Sequence, residues 1–271
     1  MKKKLSIALI GIFVLLLAAC GGKDEKEDTI KVGATSTPHA EILEKAKPIL
    51  EDEGIKLEIE EYQDYNLPND DVANGDIDAN FHQHIPYLEQ TNKDTGYDLV
   101  NIGEIHIEPM GIYSKNIKSK DDIKKGTEVI MSRSVADHGR VLTLFEDKGL
   151  IKLKDGIDKD SAETKDITEN KLDLKFKAEV DPGLQPEIYE KEKDALVAIN
   201  TNYAIKAGLE PKKDSIIIED DDSPYVNIIA TTKENKDDKN LKELVKVLHS
   251  KEIQDFINKE YDGAVVPVKG E

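Results

Sequence analysis

Tryptophan is absent from the 271 residues, cysteine occurs once, and aromatic residues make up only 5%. A lone thiol cannot close an internal disulfide, so no covalent framework holds the chain together. Basic residues are outnumbered: 38 Lys and Arg stand against 56 Asp and Glu, a formal net charge of −18. Nucleic-acid binding leaves a basic footprint, and none is present. Charge of this sign favours solubility and repels anionic surfaces. Long apolar runs are scarce too. The single one, residues 5–17, is broken only by Ser6 and Gly11. It falls short of the ~20 residues that a spanning helix needs, and no second run follows, so the rest of the chain is expected not to cross a membrane. There is no G-x-S-x-G, no P-loop and no G-x-G-x-x-G. No Ser-His-Asp or Cys-His arrangement can be argued, which points away from an enzyme, a surface hydrolase included, and no cofactor is called for.

What the N-terminus does contain is organised. Lys2, Lys3 and Lys4 precede the apolar run, which ends in Leu17-Ala18-Ala19-Cys20. A positive start, a short apolar stretch and small residues before a cysteine are the parts of a secretory leader, and the end looks like a bacterial lipobox. Residues 1–19 are therefore expected to be a signal peptide and Cys20 a lipidation site. Residues 21–28, rich in Gly, Lys, Asp and Glu, read as a flexible tether. The expected location is extracytoplasmic, anchored by lipid to the bacterial cell membrane.

Beyond the tether, short β-like runs alternate with helical stretches. Strands are expected at residues 29–33, 55–62, 79–81, 98–107, 128–131, 174–178, 195–199, 215–218 and 226–231. Helices are expected at residues 39–52, 67–74, 86–93, 138–148 and, as one long amphipathic element, 240–261. Thr37-Pro38 resembles an N-cap followed by proline at the first helical position. Residues 154–171 and 233–240, dense in charge of both signs, read as solvated faces or loops. Alternating strands and helices imply α/β sheets with covered faces. The β/α grammar restarts near Gly111, which implies two lobes: residues 29–111 with 228–271, and residues 112–227. Open α/β sheets bind ligands beyond the carboxyl ends of their strands, so a ligand cleft is expected between the lobes.

Four segments at such strand ends carry unusual chemistry. Residues 76–87 place Asn80, Phe81, His82, Gln83, His84 and Tyr87 in what reads as one loop. Aromatics and imidazoles beside amides suit a small ligand with an apolar and a polar end. Simple packing of the lobe and a zinc site are the other readings. In the zinc reading His82 and His84, with His39 or His106, supply neutral imidazoles. Residues 132–140 open a helix and end in Gly139-Arg140. A helix start favours an anion, Arg140 offers a bidentate clamp for a carboxylate, and Gly139 would allow close approach of a ligand. An ion pair between Arg140 and one of the many acids is the plainer alternative. Ile199-Asn200-Thr201-Asn202 and Asp222-Ser223-Pro224-Tyr225-Val226-Asn227 supply asparagines, which both donate and accept; singly, each could equally be a cap or a turn.

Together the segments resemble the NlpA family of lipoproteins, the methionine-binding proteins of ABC importers. The blocks are VGATSTPHAEIL at 32–43, GDIDANFHQHIPYLE at 75–89, PMGIYSK at 109–115, GLIKLKDG at 149–156, INTNYA at 199–204 and DSPYVNIIA at 222–230. The resemblance implies a two-lobe, periplasmic-binding-protein-like α/β fold. It implies capture of L-methionine or a close relative, a methionine-containing dipeptide or another amino acid, and delivery to a membrane permease with a separate ATPase. By residue match, Arg140 would hold the ligand carboxylate, Asn202 and Asn227 the amino-acid head, and Phe81, His84, Tyr87 and Tyr65 would line the side-chain pocket. The chain is expected to act as a monomer. Three features depart from the family pattern. Only the Gly-Arg end survives of a segment like PNDPTNEGR at 132–140, bringing in Arg133. The usual Gln-Leu-Pro stretch is altered near Leu184-Gln185-Pro186. His82 stands where phenylalanine is usual, which makes the pocket wall more polar.

Overall fold

The computed structural model describes residues 28–221 and 223–270. The expected signal peptide, Cys20 and nearly all of the tether lie outside the described residues. Three sheets form. The larger one contains β1 (Asp28–Thr35), β2 (Ile55–Tyr62), β3 (Ala79–His84), β4 (Leu99–Ile107), β12 (Val226–Thr232) and β13 (Val266–Pro267), in the order β13-β4-β12-β3-β1-β2. The second contains β5 (Gly111–Tyr113), β6 (Glu128–Ser132), β9 (Lys175–Val180), β10 (Leu196–Ile199) and β11 (Ile217–Ile218), in the order β11-β5-β10-β6-β9. A hairpin of β7 (Ile151–Leu153) and β8 (Ile167–Asn170) stands apart. The chain passes between the two larger sheets twice, after β4 and before β12. Gly111 pairs within the second sheet, and Val226 and Asn227 pair within the first.

In the first sheet, α1 (Glu41–Asp52), α8 (Lys239–Leu248) and α9 (Lys251–Tyr261) cover one face. Ile42, Leu43, Ala46 and Leu50 form the buried stripe of α1, the spacing of an amphipathic helix. The other face is covered by α2 (Leu67–Asn74) and α3 (Ile85–Thr95), through Val72 and Leu88. Sandwiched between helical layers, β3 is buried at every position, as a central strand with two covered faces should be. In the second sheet, α4 (Val135–Asp147) packs Val141, Leu142 and Phe145 beside Val129, Met131 and Leu196. On the other face, α5 (Gln185–Lys191) and α6 (Thr201–Lys206) contribute Tyr189, Tyr203 and Ala204.

Several local expectations change. Strand β3 runs past the expected 79–81, so His82, Gln83 and His84 lie on it rather than in a loop, because pairing with β12 continues to Gln83 and His84. The expected long C-terminal helix is two helices. Ser250 is extended (φ −62°, ψ 151°), and its hydroxyl accepts from the Ile253 amide, so it caps a new helix instead of continuing the old one. Thr37 is not a backbone cap: its hydroxyl donates to the Glu41 carboxylate. Residues 154–171 include the strand β8 and are not merely loop.

Candidate functional site

A cavity lies between the two larger sheets, and both contribute to its wall. From the first come His39, just after β1; Tyr65, between β2 and α2; His82 and Gln83 on β3; His84 and Tyr87 at the start of α3; and Asn227 on β12. From the second come Asp137 and Arg140 in the first turns of α4, and Asn200, Thr201 and Asn202 where β10 turns into α6. Glu108 enters from the crossing between β4 and β5. The sheet end nearest the cavity is braced by a buried amide network. Gln83 Nε2 donates to Asn69 Oδ1 (2.7 Å) and Asn80 Oδ1 (2.8 Å), and Asn69 Nδ2 donates to Gln83 Oε1 (2.9 Å). This ties α2 to β3 and fixes the loop that carries Tyr65.

Hydrogen bonds cross the cavity and hold the sheets together. Tyr65 Oη donates to Asn202 Oδ1 at 2.6 Å, and His84 Nε2 lies 3.3 Å from Asp137 Oδ1. Asn200 Nδ2 donates to the other oxygen of Asp137 at 3.4 Å. The free space is about 30 Å³, room for a water or two rather than an amino acid. A second cavity of about 490 Å³ adjoins it, sharing Tyr65 and Tyr87 and reaching Asp64, Asp94, Arg133 and Asp181. The two tyrosines therefore form the partition between an inner chamber and an outer one.

The inner chamber is buried and highly charged. Arg140 donates through Nε to both oxygens of Glu219 (3.1 and 3.0 Å) and through Nη2 to Glu219 and to the Glu108 carbonyl (2.7 Å). Its guanidinium sits 4.5 Å from the centre of the Tyr225 ring, a cation–π contact. Burial works against both charges, but their mutual attraction outweighs it, so Glu219 is held below and Arg140 above its ordinary value. Burial would also raise Asp137; the hydrogen bond and charge of His84, with Arg140 nearby, hold it low instead. On the opposite wall, burial pushes His39 down to about 4, against the pull of Glu108, and His106 down to about 3. Burial also raises Glu108. Neutral His39 accepts from the Thr35 hydroxyl at Nδ1 (2.7 Å) and faces Asn227 Oδ1 (3.1 Å) and Glu108 Oε1 (3.2 Å) with Nε2. His106 Nε2 lies 2.9 Å from the same Glu108 oxygen. These contacts are hydrogen bonds between uncharged rings and a carboxyl group, not ion pairs.

The family model for NlpA lipoproteins matches residues 30–269. The chain belongs to the NlpA lipoprotein family. It is 46% identical over 273 residues to the methionine-binding lipoprotein MetQ of Bacillus subtilis, covering 99% of each chain. Among solved structures, a pheromone cOB1 precursor/lipoprotein of the YaeC family from Enterococcus faecalis is similar at a TM-score of 0.86 and 52% identity, with 89% of this chain and 100% of that one covered. A nutrient-binding protein from Burkholderia cenocepacia, bound to methionine, is similar at a TM-score of 0.83 and 37% identity, covering 88% and 99%. The two-lobe α/β fold expected from the sequence is the fold of these lipoproteins. The NlpA family is one of substrate-binding lipoproteins, and no helix among the described residues is long and apolar enough to cross a membrane.

Within this NlpA chain, Arg140, Asn202, Asn227, His84, Tyr87, His82 and Tyr65 all line the chamber. Phe81 does not. It is fully buried in the core behind the wall, edge-on to His39 (4.7 Å between centroids) and His106 (5.2 Å). Gly139 serves packing rather than ligand approach: a Cβ there would lie 2.2 Å from the Lys159 carbonyl oxygen. Arg133 is exposed and pairs with Asp181 (2.8 Å) in the outer chamber, away from Arg140. The zinc reading through His82 and His84 also fails on geometry. Both nitrogens of His84 are engaged, Nε2 by Asp137 and Nδ1 by the Tyr87 amide. The cluster with metal-ligand spacing among the described residues is His39, His106 and Glu108. The sequence points to Asn200 and Asp137 only as members of the segments at 199–202 and 132–140, and it does not point to Glu108. Glu108 directly precedes Pro109 of a family block, which is the signal that could have found it.

Proposed function

We propose that this protein is the substrate-binding component of an ABC importer, capturing L-methionine or a close relative and passing it to a permease powered by a separate ATPase. The observation that carries the reading is the chamber itself, walled by both sheets and closed by side-chain bonds between them. A ligand that bridges both walls favours the closed arrangement by its differential affinity for it. The relatives named for methionine, and the neighbour bound to methionine, support the choice of ligand class. Because the chamber is smaller than an amino acid, entry requires the Tyr65–Asn202 and His84–Asp137 bonds to part and the sheets to separate about the two crossings, with lobe limits near residues 111 and 227. Arg140 then meets the ligand carboxylate: none of its hydrogen bonds among the described residues uses Nη1. Asn202 and Asn227 hold the amino-acid head, and His84, Tyr87, His82 and Tyr65 surround the side chain. The protein works as a monomer, held to the outer face of the cell membrane by lipid on Cys20.

Denaturing mass spectrometry of ligand retained by the purified protein is the direct test. An amino acid or dipeptide released in near-stoichiometric amount is expected. Release of a sugar, a nucleotide or a metal ion alone would overturn the reading.

A further inference from the structure

Of the three imidazoles that line the chamber, His39 and His84 have both ring nitrogens engaged, but His82 has neither. It lies on β3 at 4% exposure, lining the chamber beside the rings of Tyr65 and Tyr87, each 6.0 Å away by centroid. Neither of its ring nitrogens has a hydrogen-bond partner. Burial, reinforced by His39 and His84 nearby, keeps the ring neutral, and a neutral imidazole presents one donor and one acceptor. Buried polar groups without partners are rare in folded proteins and call for an explanation. Across the same chamber Asn200 Oδ1 is also unpartnered, and an acceptor there suits a donor such as a ligand ammonium group.

We infer that the ligand carries a second hydrogen-bonding group, beyond its amino-acid head, that meets His82, and that this group is an amide. The inference rests on the proposed function and narrows its substrate class. A methionine thioether is a weak acceptor and no donor, so it would meet the imidazole N–H only weakly and leave the ring's acceptor nitrogen unanswered. An amide brings a carbonyl and an N–H together. Two sources share that chemistry: the side-chain carboxamide of glutamine, which matches methionine in length, and the peptide bond of a methionine-containing dipeptide. The outer chamber beyond Tyr65 and Tyr87 leaves space for the longer of the two ligands.

Calorimetric titration of the ligand-stripped, full-length lipoprotein in detergent with L-methionine, L-glutamine and alanylmethionine tests this. Glutamine or alanylmethionine should bind at least about tenfold more tightly than methionine, the worth of one good hydrogen bond. His82→Phe should erase or reverse that preference, whereas His82→Gln, which keeps a donor and an acceptor, should retain it. Wild-type protein that binds methionine as tightly as both amide ligands overturns this inference and leaves the proposed function standing. Binding of none of the three overturns both. Should His82→Phe fail to fold, the wild-type ranking and the His82→Gln result still decide the matter.

Discussion

Arg140 has two duties that mutation can separate. It pairs with Glu219 in a buried setting and, under the proposed function, meets the ligand carboxylate. Removing one member of a buried pair strands the other charge, at a cost of about 3–5 kcal/mol. Arg140→Ala should therefore lower both stability and ligand affinity. Replacing the pair together, as Arg140→Met with Glu219→Met, should recover most of the stability, since apolar substitutes for buried pairs are often neutral, while affinity stays lost. Chemical denaturation beside calorimetry would separate the two effects; full affinity in the double variant would remove Arg140 from the ligand site. The buried histidines make a different statement. His39 and His106 sit at about 4 and about 3 against an ordinary 6.5. As pH drops below 6.5 the unfolded chain takes up these protons and the folded one does not, so stability must fall with pH until the folded-state values are reached. Glu108, raised by burial, works in the opposite sense just above its ordinary 4.5 and softens the slope. Denaturation midpoints measured from about pH 7 down to about pH 4.5 should decline, and His106→Gln should flatten the decline. A midpoint independent of pH over that interval would contradict the buried neutral assignment.

At the scale of elements, α4 carries the second lobe's share of the site, and its seating depends on a backbone-to-backbone approach. The hydrogen atom of Gly139 faces the carbonyls of Lys159 and Asp160, and carbonyl groups of the main chain cannot step aside as a side-chain tip could. Gly139→Ala should push α4 away from residues 159–161 and cost about 1–3 kcal/mol, the usual range for overpacking. It should also weaken ligand binding, because Asp137 and Arg140 ride on the same helix. An unchanged unfolding midpoint would show that the 159–161 segment yields freely. The break at Ser250 teaches the converse. The apolar repeat runs on through both C-terminal helices, with Leu241, Leu244 and Leu248 buried on one and Ile253 and Ile257 on the next. Periodicity sees one amphipathic stretch; the capping serine bends it so that both halves reach the same core.

For the molecule as a whole, anchoring and binding are expected to be independent. Cys20→Ala should leave ligand affinity unchanged and reduce uptake by cells, because a tether raises the local concentration of carrier at its transporter. Measured affinity of the purified variant and uptake of labelled ligand would check the two halves; loss of affinity would show that Cys20 is more than an anchor.

The sequence by itself determined a great deal. Period-two runs between helical stretches located the longer strands and most of the longer helices, since backbone geometry writes its repeat directly into the spacing of apolar residues, but not the short strands β5, β7, β8 and β13 or the helix α5. The collinear blocks identified the family, and Arg140, Asn202, Asn227, His84, Tyr87, His82 and Tyr65 were all brought to one chamber. What only the tertiary structure decided is which way each side chain turns and what it meets. Phe81 and His82 are neighbours in sequence, but one packs into the core and the other lines the cavity, at a point where the register between β3 and β12 shifts. Arg140 reads as a clamp or, more plainly, as half of an ion pair until Glu219, 79 residues away, is placed beside it. Gly139 reads as room for a ligand until the carbonyls at 159 and 160 fill that room. These are contacts between segments distant along the chain, and local spacing carries no record of them.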